Sequence, residues 1–437
     1  MVDITRTLLN EWKEKLLPKV IDRETDLYKY IHVKPRKIIV ITGFRRAGKT
    51  YLIFHLIQQL LEEIDKSKVI YLNFEDERIP LKTEFLTNLL PAIRQAHNKI
   101  EFLFLDEIHN IPEWSKWLRR IYDNEEIRIF VTGSSSKMSS QEIPTELRGR
   151  FLEVKVFSLS FKEYLAFKGS KTIDLKVAHY SENEKADVIR EFNEFLELGG
   201  LPEVVLADKN KKLEIIHNYY NTVIRRDIIE RFKIRNEESL KALLNLLLNS
   251  TSYSISKLYN TLKSLNFEVG KGTIQSYLAY IENSYFLYSL RLFSYKIKDQ
   301  LQYPRKIYFV DNGFITALSS KFSRNLSRLY ENLVFLELKR RHAADPKLEL
   351  FYWRNQQKEE VDFVVKDGLK VKQIIQVCYD IRDYDTKKRE VKALLKASEE
   401  LKCRNLLIIN EDKEGEEKLT NKKIKYLPLW KWLLQKR

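Results

Sequence analysis

Eight consecutive residues constrain this chain more than any others: Gly43-Phe44-Arg45-Arg46-Ala47-Gly48-Lys49-Thr50. They form a complete G-x-x-x-x-G-K-[ST] phosphate-binding loop. The run before it, Lys37-Ile38-Ile39-Val40-Ile41-Thr42, reads as a buried parallel strand, and Tyr51-Leu52-Ile53-Phe54-His55-Leu56-Ile57 reads as the start of an amphipathic helix. Strand, glycine-rich loop and helix in that order are the context the chemistry requires. Backbone N–H groups of the loop and of the helix N-terminus cradle phosphate oxygens. Gly43 and Gly48 carry no Cβ to hold the backbone away. Lys49 would neutralise the β- and γ-phosphates, and the Thr50 hydroxyl would ligate Mg²⁺.

Glu101-Phe102-Leu103-Phe104-Leu105-Asp106-Glu107 supplies the second half of such a site. It is apolar on both faces, as a central strand of a parallel sheet must be. It ends in two acids, at the strand end where open α/β sheets bind ligands. Asp106 would hold Mg²⁺ through water, and Glu107 would orient or deprotonate the attacking water. A third strand, Ile127 to Thr132, runs into Gly133-Ser134-Ser135-Ser136. Ser134, with Thr132 next, is the candidate γ-phosphate sensor; serines there also serve as a turn or cap. In Glu146-Leu147-Arg148-Gly149-Arg150-Phe151, Arg148 and Arg150 are candidates for an arginine acting on a neighbouring subunit's phosphate, which would require an oligomer.

With these motifs assembled, the chain resembles the AAA+ ATPases, in particular an archaeal and bacterial family of predicted ATPases. The resemblance rests on GFRRAGKT, FLFLDEIHNI, the VTGSSS strand end and ELRGRF followed by Phe157 to Tyr164. Family marks of unassigned function continue at Tyr220 to Ile228, Val310-Asp311-Asn312-Gly313 and Tyr330-Glu331-Asn332-Leu333-Val334. Gly199-Gly200-Leu201-Pro202 also looks like the glycine–proline motif of STAND-type signalling ATPases, in which the proline lies near the adenine. That resemblance implies an adenine contact for Pro202; a plain loop turn is the alternative.

A chain of 437 residues suggests about three domains. Its two cysteines, Cys378 and Cys403, exclude a disulfide framework and a cysteine-based zinc site, and fit a reducing cytoplasm. No apolar run is long enough for a membrane span, and the N-terminus has no signal-peptide pattern. The net charge of +16 favours DNA or another polyanion as partner. A Lys/Glu-rich surface of the kind common in heat-adapted proteins is the competing explanation.

The pattern divides the chain into N-terminal helices (1–36), a parallel-sheet ATPase core (37–165), a helical lid and linker (166–237), a winged helix-turn-helix (238–298) and a nuclease-like α/β region (299–437). Leu8, Leu9, Trp12, Leu16 and Leu17 stand at helical spacing in the first of these. In the winged region, Ser254 and Thr273 cap two helices, and Phe286 to Leu290 with Leu292 to Lys296 would form the wing. Lys271, Thr273, Gln275 and Ser276 would stand near the start of the helix that enters a major groove. Glu331, Asp362 and Gln376-Val377-Cys378 look like a PD-(D/E)xK nuclease core, in which two acids hold Mg²⁺ and a lysine stands near the attacking water. Gln376 replaces the second acid and Cys378 the lysine, so a retired fold is expected; Lys392 or Lys396 on the next helix could reach in. The expected function is Mg²⁺-dependent ATP hydrolysis coupled to DNA in the cytoplasm. The rivals are a STAND-like switch acting on protein partners, an ATP-gated nuclease and a DNA-binding regulator with a vestigial ATP site.

Overall fold

The computed structural model describes residues 2–96, 99–133, 145–170, 182–319, 325–419 and 421–435. The chain forms two compact units: Met1–Phe157 with Asn283–Tyr285, and Ser158–Glu282 with Phe286–Arg437. Among the described residues no helix is long and apolar enough to cross a membrane.

The first unit contains α1 (Val2–Glu14), β1 (Ile38–Gly43), α2 (Lys49–Leu61), β2 (Val69–Asn73), α3 (Thr83–Ala96), β3 (Phe102–Asp106), α4 (Trp114–Asn124), β4 (Arg128–Gly133) and β5 (Phe151–Val156). The strands make one parallel sheet in the order β2-β3-β4-β1-β5. Every residue of β1 and β3 is buried, which is why both read as unbroken apolar runs rather than alternating ones. In α4, Trp114, Trp117, Leu118 and Ile121 turn to the core at helical spacing. The expected N-terminal helix ends sooner than its leucine pattern suggests. Leu8, Leu9 and Trp12 are buried, but Leu16 lies beyond the helix and is exposed. Trp12 Nε1 donates to Val69 O at 2.6 Å, pinning α1 to β2.

The second unit begins with α5 (Phe161–Phe167), α6 (Glu182–Leu198), α7 (Pro202–Leu206) and α8 (Lys212–Thr222), followed by a π-helical stretch, Val223–Glu230. Then come α9 (Glu237–Leu248), β6 (Ser252–Tyr253), α10 (Ile255–Ser264), α11 (Lys271–Asn283), β7 (Leu287–Leu290), α12 (Ile297–Gln302) and β8 (Arg305–Phe309). These three strands form an antiparallel sheet in the order β6-β8-β7. Ser254 caps α10 as expected, its hydroxyl accepting from Lys257 N. The expected second wing strand, Leu292 to Lys296, is not one. Leu292 makes a single bridge to Tyr352, Phe293 is buried and Tyr295 is exposed, so the segment has one anchored end and no ladder. β7 pairs instead with β8, beyond α12.

The remainder is α13 (Asn312–Leu318), α14 (Leu326–Ala344), β9 (Leu348–Arg354), β10 (Glu360–Asp367), β11 (Lys370–Val377), α15 (Tyr384–Glu400), β12 (Leu406–Asn410), β13 (Gly415–Leu419), β14 (Lys422–Pro428) and α16 (Leu429–Leu434). The sheet order is β13-β14-β12-β11-β10-β9. β9, β10 and β11 form an antiparallel meander, and β12 lies parallel to β11 after the α15 crossover. Val361, Val364, Ile374, Leu394, Ala397, Ile408 and Tyr426 are the centre of its core.

Candidate nucleotide site

The loop between β1 and α2 is shaped by two glycines. Gly43 has φ +149°, and a Cβ there would lie 2.2 Å from Val156 O on β5. Only glycine allows the two strands that approach. Gly48, with φ 96°, makes the left-handed turn into α2, so that Lys49 and Thr50 open the helix. Lys49 is buried; its ammonium donates to Gly43 O at 3.2 Å and Phe44 O at 3.4 Å, and lies 3.6 Å from Glu107 Oε1. Phe44 and Ala47 are buried in the core, Arg45 pairs with Glu75 at 3.0 Å, and Arg46 has positive φ.

Fifty-six positions separate Thr50 from Asp106, yet the Thr50 hydroxyl donates to Asp106 Oδ2 at 2.7 Å. Tyr71 Oη donates to the same oxygen at 3.0 Å, and the Thr132 hydroxyl donates to Oδ1. Asp106 is 1 % exposed. Burial raises its pKa above the usual carboxylate range, and the neighbouring Glu107 pushes the same way. The three hydroxyls oppose both. Glu107 has φ 54° and donates its backbone N–H to the Thr132 hydroxyl at 2.9 Å. One threonine at the end of β4 therefore holds both acids at the end of β3. His109 Nδ1 lies 3.2 Å from Glu107 Oε2.

Sequence reasoning misses Tyr71 and Arg23 and gives Thr132 a different role. Tyr71 is the polar-tipped residue of an otherwise aliphatic stretch of β2, a signal that was legible. The sequence suggests Thr132 only as a phosphate sensor, whereas the hydroxyl bonds both acids. Arg23 carried no signal; it donates to Ala47 O at 3.1 Å and Phe157 O at 3.0 Å, tying the loop to the chain beyond β5.

The other expected residues fall elsewhere. Ser134 lies outside the described residues. Arg150 is bound to Asp123 of α4 at 3.0 Å, and Arg148 is exposed on the turn before β5. Pro202 opens α7 in the second unit, where its missing N–H is harmless. The two glycines before it are explained by packing. A Cβ on Gly199 would lie 1.5 Å from Asp311 Oδ1, and Gly200 N donates to Asp311 Oδ2 at 2.8 Å. On α11, Lys271, Thr273, Gln275 and Ser276 are all exposed, while Ile274, Tyr277, Leu278 and Ile281 are buried.

A parallel sheet in this order, a glycine loop feeding α2 and an acid pair ending β3 define a P-loop AAA-type ATPase. A family model described as "AAA domain" matches residues 35–165. Two models described as domains of unknown function match residues 189–325 and 326–432. The chain is 41 % identical over 426 residues to the uncharacterized protein MJ1544 of Methanocaldococcus jannaschii, covering 95 % of this chain and 91 % of that one, and it belongs to that protein's family. It is 29 % identical over 371 residues to an uncharacterized protein of Haemophilus influenzae, covering 83 % and 88 % of the two chains. Among solved structures, the Walker-type ATPase PABY2304 of Pyrococcus abyssi aligns with TM-score 0.46 at 13 % identity, over 69 % of this chain and 98 % of that one. The Aeropyrum pernix ORC1 protein, solved in complex with DNA, aligns with TM-score 0.32 at 14 % identity, over 72 % and 91 %.

Proposed function

We propose that this chain is a Mg²⁺-dependent ATPase whose nucleotide cycle acts on DNA through a winged helix-turn-helix in its second unit. The observation that carries the first half is the Thr50–Asp106 hydrogen bond, 2.7 Å long, beside the Lys49–Glu107 pair at 3.6 Å. Two motifs distant in sequence present hydroxyl, carboxylate, ammonium and carboxylate together. A hydroxyl and one carboxylate are a hard-oxygen donor set that suits Mg²⁺, which keeps several of its waters. Thr50 and Asp106 would hold it; when bound it neutralises charge on the transferring phosphoryl group.

Lys49 would leave Glu107 for the phosphates, freeing the Glu107 carboxylate to orient and deprotonate water. The Thr132 hydroxyl fixes the Glu107 backbone while this happens, and Ser134 would read the terminal phosphate. Arg148, exposed, is the arginine that a neighbouring copy could use; Arg150 is already held by Asp123.

The helix order α9-α10-α11 and the sheet order β6-β8-β7 support the winged helix reading, with α11 presenting Lys271, Thr273, Gln275 and Ser276 to a groove. The order α14-β9-β10-β11-α15-β12 likewise supports a nuclease-like fold. Lys392 and Lys396 pair with Glu359, at 3.0 and 2.7 Å, which favours the retired-fold reading over a substitute for the lysine that Cys378 replaces.

Steady-state ATP hydrolysis, measured with and without DNA over a range of salt, tests the proposal. Glu107→Gln should keep nucleotide binding and lose hydrolysis by about a hundredfold or more, whereas Lys49→Ala should weaken binding itself. DNA should stimulate turnover, and the stimulation should fade as salt rises. Normal hydrolysis by Glu107→Gln refutes the assignment of that residue. Turnover indifferent to DNA removes the nucleic-acid half and favours a switch acting on protein partners.

A further inference from the structure

The second unit holds a charge cluster that the nucleotide chemistry does not use. Lys306 on β8 is buried, and its ammonium reaches three carboxylates. It donates to Asp362 Oδ1 at 2.7 Å and to Glu331 Oε1 at 2.9 Å, and lies 2.9 Å from Glu360 Oε1. An ammonium has three protons and no other way to satisfy them in a buried site. Here each has one carboxylate oxygen. The acids in turn come from α14 and β10, whereas Lys306 comes from the β6-β8-β7 sheet.

Two further donors reach these acids. Tyr308 Oη donates to Glu331 Oε1 at 2.7 Å, and Val377 N donates to Asp362 Oδ2 at 2.8 Å. Gln376, at the degenerate second acid position, is oriented away from a ligand role: its Oε1 accepts from Asp362 N at 3.3 Å and its Nε2 donates to Glu390 Oε2 at 2.5 Å. Among the described residues no group of three metal-binding side chains is arranged to hold a metal ion. The same oxygens that would have to face a divalent cation face Lys306 instead.

We propose that Lys306 is the resident cation of this carboxylate pocket. It stands where a metal-dependent phosphodiesterase would need a divalent ion, closes the C-terminal sheet domain to metal-dependent cleavage, and locks β8 to α14 and β10. Burial alone would drive the proton off Lys306, but the three acids overcome it and hold its pKa above the ordinary lysine value, so the charge persists.

The test uses the full-length chain without nucleotide, with Mn²⁺ as the probe. Uptake is followed by electron paramagnetic resonance, and melting temperature by calorimetry. Wild type and Glu331→Gln should take up Mn²⁺ equally, because the pocket contributes nothing to binding. Lys306→Met keeps the stem and removes the charge. It should melt about 5–10 °C lower, since buried Asp362 is left without its cation. It should also gain Mn²⁺ uptake that Lys306→Met combined with Glu331→Gln loses, and recover part of its melting temperature in millimolar Mn²⁺. Wild-type uptake that falls on Glu331→Gln overturns the proposal, as does a Lys306→Met chain of unchanged stability. If Lys306→Met does not fold, the comparison of wild type with Glu331→Gln decides by itself: equal uptake upholds the proposal, and unequal uptake overturns it.

Discussion

Replacing Thr132 by valine should damage the first unit more than its size suggests. The side chain is fully buried, and valine fills nearly the same space, so packing is not the variable. Two hydrogen bonds are. The hydroxyl donates to Asp106 Oδ1 and accepts from Glu107 N at 2.9 Å. Losing a bond to a carboxylate removes about 1.5–3 kcal/mol, and an orphaned buried N–H costs about 1–3 kcal/mol. The two effects share a site and do not add fully, so a net loss of about 3 kcal/mol is expected. For a unit of this size that lowers the melting temperature by about 6–12 °C. Tyr71→Phe gives the internal control, because it removes one bond to Asp106 and orphans nothing; it should lose about 1.5–3 kcal/mol, without the cost of an orphaned N–H. Hydrolysis should fall too, by about ten- to a hundredfold, as Glu107 at positive φ loses its backbone anchor. Thr132→Ser keeps the hydroxyl and should restore both properties. Differential scanning calorimetry and steady-state turnover make the measurement. A Thr132→Val chain that melts with wild type and turns over normally refutes the idea that one hydroxyl positions both acids.

Three further outcomes are expected. Gly43→Ala should destabilise the β1–β5 pairing by about 2–4 kcal/mol, since its Cβ would meet a backbone oxygen at 2.2 Å that no side-chain rotation can relieve; wild-type melting behaviour would refute this. Burial pushes Asp311 up to about 6. Its folded value lies above the unfolded one of about 3.9, so its contribution is fully present below that pH and lost as pH rises through 6, on the order of 3 kcal/mol. The stability difference between wild type and Asp311→Asn should therefore change between pH 4 and 6.5 in calorimetry, and a flat difference would contradict the assignment. Lys271→Ala should weaken DNA binding across sequences and reduce its salt slope by about 1; an unchanged slope in a salt titration would remove Lys271 from the phosphate contacts.

The core of the first unit was legible because its signals are local and chemically demanding. A phosphate loop needs Gly43 where β1 nears β5 and Gly48 where the backbone turns left-handed, and few other residues serve there. β1 and β3 announced themselves by being apolar on both faces. The contributions of Tyr71, Thr132 and Arg23 were harder to see because they depend on which strands become neighbours. Tyr71 reaches Asp106 only because β2 lies beside β3, and Thr132 only because β4 lies on the other side. Strand order is set by crossovers, not by any residue within the strands. The misread second wing strand failed for a related reason: Leu292 and Phe293 are apolar because they pack, and packing alone does not supply a ladder partner.

Lys306 shows where local reading ends. Arg305-Lys306-Ile307-Tyr308-Phe309 looks like a strand entered through two solvated cations, the common fate of such residues on a chain of net charge +16. Lys306 is instead buried, because α14 and β10 bring Glu331, Glu360 and Asp362 around it. Glu331 and Asp362 taken alone resemble part of a degraded metal site, and the missing groups, at Gln376 and Cys378, resemble decay. The lysine makes the two observations one. One ammonium already faces three carboxylates, so a further acid at 376 would add unmatched negative charge. A neutral glutamine at 376 fits that balance, and it bonds Asp362 N and Glu390. The prediction that follows is directional: Gln376→Glu should destabilise wild type, and should destabilise it less in the Lys306→Met background supplied with Mn²⁺. Equal penalties in the two backgrounds, measured by calorimetry, would show that Gln376 and Lys306 are independent and that the pocket is not organised around the ammonium.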